Sequence, residues 1–277
     1  MEEVFGVFGD PVEHSLSPVM HNAAISALGM KAHYHAFRVT REELEGALRG
    51  ARAMGFGGVN LTIPLKEVAL DFVEPDSLSR EIGAVNTVDF KDGIRGFNTD
   101  GLGALRALEE SGVSLHGKSV VLLGAGGAAR AIAFQFAFAG ARVLIVNRTE
   151  ERGRQLAESV SSVVVGVGVA EAFSFASIGD LLEGAHVLVN ATSVGMYPDV
   201  DRTLITRDMM HQGLVVFDIV YNPLKTLLFV EAEAAGARIV TGEMMLVYQG
   251  AEAFKIWTGV LPPVDVMKKA LLDALGV

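Results

Sequence analysis

The stretch KSVVLLGAGGAARAIAFQFAFAGARVLIVNRT (residues 118–149) decides the fold of this chain. It opens with a short apolar run, Val120–Leu123, that lacks helical spacing and is typical of a buried strand. A glycine-rich turn follows at Gly124–Ala129, and an alanine-rich stretch of helical length continues to about Gly140. A second apolar run, Arg142–Val146, predicts another buried strand. Strand, glycine turn, helix and strand in this order predict the βαβ unit of a dinucleotide-binding domain.

Each small residue of the glycine turn has a physical role in that interpretation. Gly124 allows the tight turn, Gly126 lets the backbone approach a pyrophosphate, and Ala129 lets the helix pack close to the strand. Free N–H groups and the helix dipole attract the anion at this point. Glycine is common in the chain, with 31 residues, so an ordinary turn between strand and helix is the alternative. The candidate pyrophosphate-binding residues are Gly124, Ala125, Gly126, Gly127 and Ala128.

The residues after the second strand indicate which dinucleotide is bound. NAD sites usually place Asp or Glu there to bind the ribose 2′-hydroxyl, whereas this chain has Asn147-Arg148-Thr149, with Arg152 one turn later. A carboxylate would repel a 2′-phosphate, and a guanidinium forms paired hydrogen bonds with it. These residues favour NADP as the cofactor, and a solvated pair of arginines at a helix start is the alternative.

Composition limits the class of protein. The chain has 277 residues, of which 50% are hydrophobic and 20% charged, and this favours one large or two ordinary globular domains. Its net charge of −10 argues against a nucleic-acid partner. It has no Cys, which excludes disulfides, thiol nucleophiles and Cys-bound metal. We see no secretory signal and no transmembrane span, and we expect a cytoplasmic protein without a metal site.

The first hundred residues alternate strand and helix patterns and predict an α/β domain ahead of the glycine turn. Predicted strands are Val4–Phe8, Tyr34–Val39 and Gly57–Ile63, with a hairpin of Val85–Phe90 and Ile94–Phe97. One predicted helix has Ser17 as its N-cap and Pro18 as its first residue, others cover Arg41–Met54 and Lys66–Val73, and Asn98–Gly101 caps a further helix. The second domain continues after residue 149 with a helix and then strands at spacings suited to a doubly wound sheet. These elements are the helix Glu150–Ser159 and the strands Val163–Val169, His186–Asn190, Leu214–Ile219 and Arg238–Val240, followed by two apolar helices in the tail.

Several polar residues fall at strand ends or helix starts, where open α/β sheets bind ligands. Ser15 and Ser17 place two hydroxyls at a helix N-terminus, a natural site for a carboxylate, although N-capping alone would account for Ser17. Lys66 follows a strand, and a solvated helix lysine is its alternative. Asp100 opens a helix and could serve only as a cap. Each of these residues is ambiguous when taken alone.

Together, nine sequence blocks resemble the shikimate dehydrogenases, in the family's order and over almost the whole chain. The blocks are His14–Pro18, Asn60–Lys66, Gly83–Thr87, Asn98–Gly101, Gly124–Ala128, Asn147–Thr149, Asn190–Met196, Tyr221–Thr226 and Met245–Gln249. The resemblance implies the NADPH-dependent, reversible reduction of 3-dehydroshikimate to shikimate in aromatic amino acid biosynthesis.

The resemblance also implies roles for individual residues. Lys66 and Asp100 match the family's catalytic pair. Matching substrate-binding positions are Ser15, Ser17, Asn60, Thr62, Lys66, Asn86, Asp100, Tyr221 and Gln249. The adenosine-phosphate site matches Asn147, Arg148, Thr149 and Arg152, and the nicotinamide pocket matches Ala191, Thr192, Ser193, Ile219, Gly242 and Met245. Near this pocket the chain departs from common family residues at Thr241, Glu243 and Ile219.

The expected architecture is therefore a substrate-binding α/β domain of residues 1–101 with 243–277, and a Rossmann-like NADP-binding domain of residues 102–242. The last helices return to the first domain. The expected partner is a small-molecule substrate, and the chain is expected to be a monomer or homodimer. A quinate/shikimate dehydrogenase of broader specificity and a catalytically silent NADP or metabolite sensor remain alternatives.

Overall fold

The computed structural model describes residues 2–164 and 168–277. The chain divides into two compact units, Met1–Gly103 with Leu246–Val277, and Ala104–Met245. The sequence expectation placed these boundaries after residues 101 and 242. The predicted fold class, two α/β domains with the last helices returning to the first, is confirmed.

The first unit is built on a six-stranded mixed sheet. Its strand order is β2-β1-β3-β5-β6-β4. Strand β1 runs parallel to β2 and β3, while β5 is antiparallel to β3 and to β6. The elements up to the unit boundary are β1 (Glu3–Gly9), α1 (Ser17–Ala27), β2 (Ala32–Arg38), α2 (Leu44–Ala53), β3 (Gly58–Leu61), β4 (Glu74–Pro75), α3 (Ser77–Ile82), β5 (Thr87–Asp89), β6 (Arg95–Phe97) and α4 (Asp100–Glu110).

The second unit carries a six-stranded parallel sheet of order β12-β11-β10-β7-β8-β9, with the topology of a doubly wound fold. The chain winds outward from β7 through β8 to β9, and then from β10 through β11 to β12. The elements are β7 (Ser119–Leu123), α5 (Gly127–Phe138), β8 (Arg142–Val146), α6 (Glu150–Val163), β9 (Val169–Phe173), α7 (Ile178–Glu183), β10 (Val187–Asn190), β11 (Val215–Asp218), α8 (Leu227–Ala234), β12 (Arg238–Val240), α9 (Glu243–Thr258) and α10 (Val264–Leu275). From Leu246 onward, α9 and all of α10 belong to the first unit.

Two local predictions differ from the structure. The helix expected over Lys66–Val73 is wrong, because only Val68–Asp71 are helical, as one short 3₁₀ turn. The predicted strand Val163–Val169 includes residues 165–167, which lie outside the described residues. Helix α6 extends through Val163, and the next strand begins at Val169.

Part of the first unit's core is an aromatic cluster around the single tryptophan. Trp257 on α9 stacks on Phe5 with ring centroids 5.2 Å apart and donates from Nε1 to the Val88 carbonyl at 2.9 Å. Gly58 permits this contact, since a Cβ there would clash with the Trp257 indole. His21 lies in the same cluster and stacks on Tyr34 with ring centroids 4.3 Å apart. The cluster therefore joins helices α1 and α9 to strands β1, β2 and β3.

His21 is fully buried, and neither ring nitrogen has a hydrogen-bond partner among the described residues. Burial disfavours the charged imidazolium and lowers the pKa of His21 to about 3, from an ordinary 6.5. Because the unfolded chain takes up this proton below pH 6.5 and the folded chain does not, stability is lost as the pH falls from 6.5 toward 3.

Within the described residues, no helix is long and apolar enough to cross a membrane.

We predict that His21→Phe makes the free energy of unfolding less sensitive to acid. At about pH 5 the buried His21 should lower the free energy of unfolding of the wild-type chain by roughly 2 kcal/mol relative to neutral pH. The variant should not show this decrease. Urea unfolding at both pH values, followed by Trp257 fluorescence, measures the difference. His35→Asn, at an exposed imidazole, is the control and should match the wild type. An unchanged pH dependence in His21→Phe would contradict the prediction.

Candidate active site

The two serines lie at the start of α1, and it is Ser15, not Ser17, whose hydroxyl accepts from the backbone of the helix start. The helix begins at Ser17 itself, with the apolar Leu16 at the cap position, so the prediction that Ser17 is the N-cap is wrong. Ser15 Oγ instead accepts from the Ser17 backbone N–H at 3.3 Å. The Ser17 side chain is buried and hydrogen-bonds the phenol of Tyr34. Capping therefore does not account for the Ser17 hydroxyl.

Lys66 and Asp100 form a close charged pair in the first unit. Lys66 Nζ lies 2.5 Å from Asp100 Oδ2, with side-chain exposures of 18% and 4%. Lys66 lies in the turn between β3 and the 3₁₀ turn, and its carbonyl accepts from the Val85 N–H at 2.8 Å. Asp100 is the first residue of α4. The pair thus combines a nearly buried carboxylate with an ammonium group that still reaches solvent.

Asn86 holds the other oxygen of this carboxylate. Its Nδ2 donates to Asp100 Oδ1 at 2.8 Å and lies 3.3 Å from Gln249 Oε1. Asn86 directly precedes β5, whereas Gln249 is on α9, 163 residues later in the chain. The fold therefore brings Lys66, Asn86, Asp100 and Gln249 together within one unit.

Asn60 is also buried beside these four residues, and both ends of its side-chain amide hydrogen-bond other residues of the protein. Its Nδ2 donates to the Asn86 carbonyl and to Thr87 Oγ1, both at 3.1 Å, and its Oδ1 accepts from the Tyr34 hydroxyl at 2.8 Å. Thr62 follows β3 and is partly buried, and its N–H donates to the Phe8 carbonyl at 2.9 Å.

Sequence reasoning did not assign Tyr34, Thr87 or Thr99 to the site, although all three join its hydrogen-bond network. The Thr87 hydroxyl and the Thr99 N–H both donate to Asn86 Oδ1 at 2.9 Å. Both threonines stand within the blocks Gly83–Thr87 and Asn98–Gly101, which could have drawn attention to them. Tyr34 lies outside all nine blocks, and the sequence around it is that of an ordinary buried strand.

In the second unit, the glycine turn lies at the carboxyl end of β7, next to β10, where the winding direction of the sheet reverses. Gly124 adopts φ +111°, and a Cβ there would lie 3.0 Å from the Ala191 carbonyl oxygen. Gly126 is the N-cap of α5, and a Cβ built on it meets nothing within 4 Å. The N-terminus of α5 is therefore open to an anion, as a pyrophosphate requires.

Buried polar contacts shape the loops beside this turn. Asp218, at the end of β11, accepts from Asn190 Nδ2 at 2.9 Å, from the Val220 N–H at 3.1 Å and from Thr226 Oγ1 at 2.8 Å. Burial raises the pKa of Asp218 to about 6, despite these donors. Asn190 Oδ1 in turn accepts from the Thr192 hydroxyl at 2.7 Å. The network places the loops that carry Ala191, Thr192, Ser193, Ile219 and Tyr221.

The last predicted cofactor residues lie beyond β12. A Cβ on Gly242 would meet the Ile219 carbonyl at 2.6 Å, so only glycine allows this close approach to the end of β11. Met245 is buried near the start of α9. Tyr221 is partly buried and belongs to this second unit.

The residues after β8 place positive charge at the carboxyl edge of the second unit's sheet. Arg148 and Arg152 are exposed, and Arg152 Nη2 lies 3.4 Å from the Ala125 carbonyl of the glycine turn. Asn147 Nδ2 donates to the Thr149 carbonyl at 2.9 Å and closes the turn into α6. The open helix N-terminus and the two guanidinium groups fit a dinucleotide with a 2′-phosphate. In residues 2–164 and 168–277, no group of three or more His, Asp or Glu side chains could hold a metal ion.

Three family models match the chain in succession. The shikimate dehydrogenase substrate binding domain matches residues 7–88, the shikimate / quinate 5-dehydrogenase model matches residues 106–223, and the shikimate 5′-dehydrogenase C-terminal domain matches residues 242–272.

Relatives and solved structures match over nearly the full length. The Shikimate dehydrogenase (NADP(+)) of Methanococcoides burtonii is 57% identical and covers 100% of both chains. A crystal structure of a shikimate dehydrogenase in complex with NADP+ superposes with a TM-score of 0.92 at 42% identity, covering 99% of this chain and 96% of that one. The enzyme of Thermus thermophilus in complex with NADP(H) and shikimate gives 0.88 at 40% identity, covering 98% and 99%. The chain therefore belongs to the shikimate dehydrogenase family.

Proposed function

We propose that this chain is an NADP-dependent shikimate dehydrogenase, which interconverts 3-dehydroshikimate and shikimate within aromatic amino acid biosynthesis. Full-length similarity to relatives named Shikimate dehydrogenase (NADP(+)) supports the reaction and the cofactor. The observation that carries the proposal is the pair of Lys66 Nζ and Asp100 Oδ2, 2.5 Å apart, in the substrate unit.

This pair suits the reduction of a ketone. NADPH, when bound, supplies the hydride, and negative charge then grows on the carbonyl oxygen of the substrate. The Lys66 ammonium stabilises that charge and donates the proton that completes the alcohol. Asp100 holds Lys66 in place, and Asn86 holds Asp100. In the reverse direction the neutral Lys66 amine accepts the proton of the hydroxyl group as hydride leaves for NADP+.

The remaining polar residues are proposed to orient the substrate. Ser15 and Ser17 bind its carboxylate with their hydroxyls at the N-terminus of α1, which the helix dipole favours. The ring hydroxyls are held by Lys66, Asn86, Asp100 and Gln249, with Thr62 beside them. Asn60 supports this group through its bonds to Tyr34, Asn86 and Thr87. Tyr221, in the second unit, stays a predicted substrate ligand that the sequence resemblance implies.

The cofactor residues are proposed on the geometry of the second unit. The turn Gly124–Ala128 holds the pyrophosphate, because the N-terminus of α5 is open. Arg148 and Arg152, with Asn147 and Thr149, hold the adenosine 2′-phosphate. The loops with Ala191, Thr192, Ser193, Ile219, Gly242 and Met245 line the nicotinamide pocket. The cytoplasmic location and the choice between monomer and homodimer stay predictions.

One assay separates this function from its alternatives. The purified chain is incubated with shikimate or quinate and with NADP+ or NAD+, and reduction of the cofactor is followed by absorbance. We expect turnover with shikimate and NADP+ to exceed the other combinations. Comparable turnover of quinate would favour an enzyme of broader specificity. Binding of NADP+ without turnover of either substrate would favour a sensor.

We predict that Lys66→Met lowers kcat by on the order of a hundredfold or more, with a much smaller change in KM for shikimate. Methionine keeps much of the apolar stem but removes the charge and the proton, which matter most in the transition state. Asp100→Asn should also lower kcat, because it loses the charge that orients Lys66. Lys255→Met, at an exposed position on α9, is the control. A large rise in KM with kcat intact would make Lys66 only a substrate anchor.

We predict that Ser15→Ala raises KM for shikimate and leaves NADP+ binding unchanged. A hydrogen bond to a charged group contributes roughly 1.5–3 kcal/mol, which corresponds to a rise in KM of about tenfold or more. Steady-state kinetics with each substrate varied in turn measures both effects. If neither Ser15→Ala nor Ser17→Ala alters KM for shikimate, the carboxylate binds elsewhere.

We predict that Arg148→Asp weakens NADP+ binding by roughly 2–3 kcal/mol, because a charge-assisted hydrogen bond is replaced by repulsion. Titration calorimetry with NADP+ and with NAD+ measures the change, which should be confined to NADP+. Arg154→Asp introduces the same charge change on α6, at a residue paired with Glu151, and should have little effect. Equal losses in the two variants would contradict a direct contact with the 2′-phosphate.

A further inference from the structure

Glu243 is a buried acid whose carboxylate is only half satisfied. It is the first residue of α9 and directly follows Gly242. The residue is 7% exposed, and its Oε1 accepts from the Thr241 hydroxyl at 2.6 Å. The other oxygen, Oε2, is buried and has no hydrogen-bond partner among the described residues. Burying a carboxylate oxygen without a donor is costly, so this atom is suited to receive a ligand.

The fold places this carboxylate at the carboxyl edge of the second unit's sheet. Thr241 follows β12, and β12 lies beside β11. Doubly wound sheets bind dinucleotides at this edge, and the half formed by β10, β11 and β12 takes the nucleotide opposite the glycine turn. The bond from Thr241 turns the Glu243 side chain back toward these strand ends. The Gly242 backbone lies against the Ile219 carbonyl at the end of β11. Glu243 is therefore adjacent to the proposed nicotinamide pocket.

The charge of Glu243 matters because the two forms of the cofactor differ in charge at the ring. The nicotinamide ring is cationic in NADP+ and neutral in NADPH. A carboxylate beside it, in surroundings from which water is largely removed, attracts the oxidised form more strongly. Asp218 is a second buried carboxylate at this edge, but both of its oxygens already accept hydrogen bonds. Of these two acids, Glu243 is the one that keeps an oxygen for a ligand.

We propose that Glu243 contacts the nicotinamide ring and sets a preference of this chain for NADP+ over NADPH. The proposal rests on the proposed function for the site, whereas the preference is a property of binding alone. In the reduction, positive charge develops on the ring as hydride leaves for the carbonyl carbon of the substrate, and the Glu243 carboxylate stabilises that charge. Lys66 supplies the proton that completes the alcohol. A preference of about tenfold lowers the reduction potential of the bound couple by about 30 mV, because two electrons are transferred.

Titration calorimetry with NADP+ and with NADPH compares Glu243→Gln with the wild type. Glutamine keeps the size of the side chain and an oxygen for the Thr241 hydroxyl but removes the charge. We expect Kd for NADP+ to rise by about tenfold and Kd for NADPH to change by less than about twofold. Adenosine 2′,5′-bisphosphate, which carries the 2′-phosphate but no nicotinamide, should bind both chains equally. Equal changes in Kd for NADP+ and NADPH would overturn the proposal.

Two control variants separate the charge of Glu243 from its structural role and from net charge. Thr241→Val removes the hydrogen bond to Glu243 but leaves the carboxylate, and should change the ratio of the two Kd values by less than about twofold. Glu233→Gln removes one charge from an exposed ion pair with Lys225 in the same unit and should leave the ratio unchanged. A shift in either control as large as that in Glu243→Gln would refute a charge contact between Glu243 and the ring.

A crystal structure of the wild type with NADP+ gives a second readout that does not depend on turnover. Glu243 Oε2 should lie within about 4 Å of a nicotinamide atom, where a charge pair is strong. A carboxylate turned away from the ring would refute the contact. If the wild type binds NADP+ but does not oxidise shikimate, the proposed function fails, and the Kd values still decide the role of Glu243. Failure of the wild type to bind NADP+ would overturn both proposals.

Discussion

The polar cluster of the first unit depends on the buried carboxylate of Asp100. Such a group is costly to remove from water unless both of its oxygens are paired. Lys66 pairs with one oxygen and Asn86 with the other, at 2.5 and 2.8 Å. Because a carboxylate accepts only, Asn86 presents Nδ2 to it, and the Thr99 N–H on Asn86 Oδ1 favours the same orientation. The same contacts hold the Lys66 ammonium in place, and we propose that the reacting carbonyl meets it there.

The second unit uses a buried carboxylate differently. Asp218 is fully buried at the end of β11, and its described donors are neutral: an amide, a backbone N–H and a hydroxyl. Without a cation beside it, burial raises its pKa to about 6. Its contacts hold the loops after β10 and β11, which lie at the carboxyl edge of the sheet. Asp100 therefore fixes a charged side chain, whereas Asp218 fixes the shape of two loops.

Local patterns predicted much of this arrangement. The apolar run Val120–Leu123 and the glycine turn correctly indicated a strand followed by a helix, and the sheet of the second unit has the doubly wound order that such units build. Strands β1, β2 and β3 and the hairpin of β5 and β6 were also placed within a few residues. The errors fell where local signals are weak. Ser17 resembles an N-cap but is the first helical residue, and Lys66 precedes a 3₁₀ turn rather than a longer helix.

The sequence by itself determined the kinds of elements, the glycine turn and the identity of the charged residues, because these follow from periodicity and from the chemistry of each side chain. Only the tertiary structure decided which polar atoms pair. Lys66 meets Asp100 across 34 residues, and Asn86 meets Gln249 across 163. Tyr34 on β2 reaches Asn60 on β3 across the intervening strand β1, because the register places both side chains on the same face of the sheet. Such contacts depend on strand order and register, which no local pattern of residues contains.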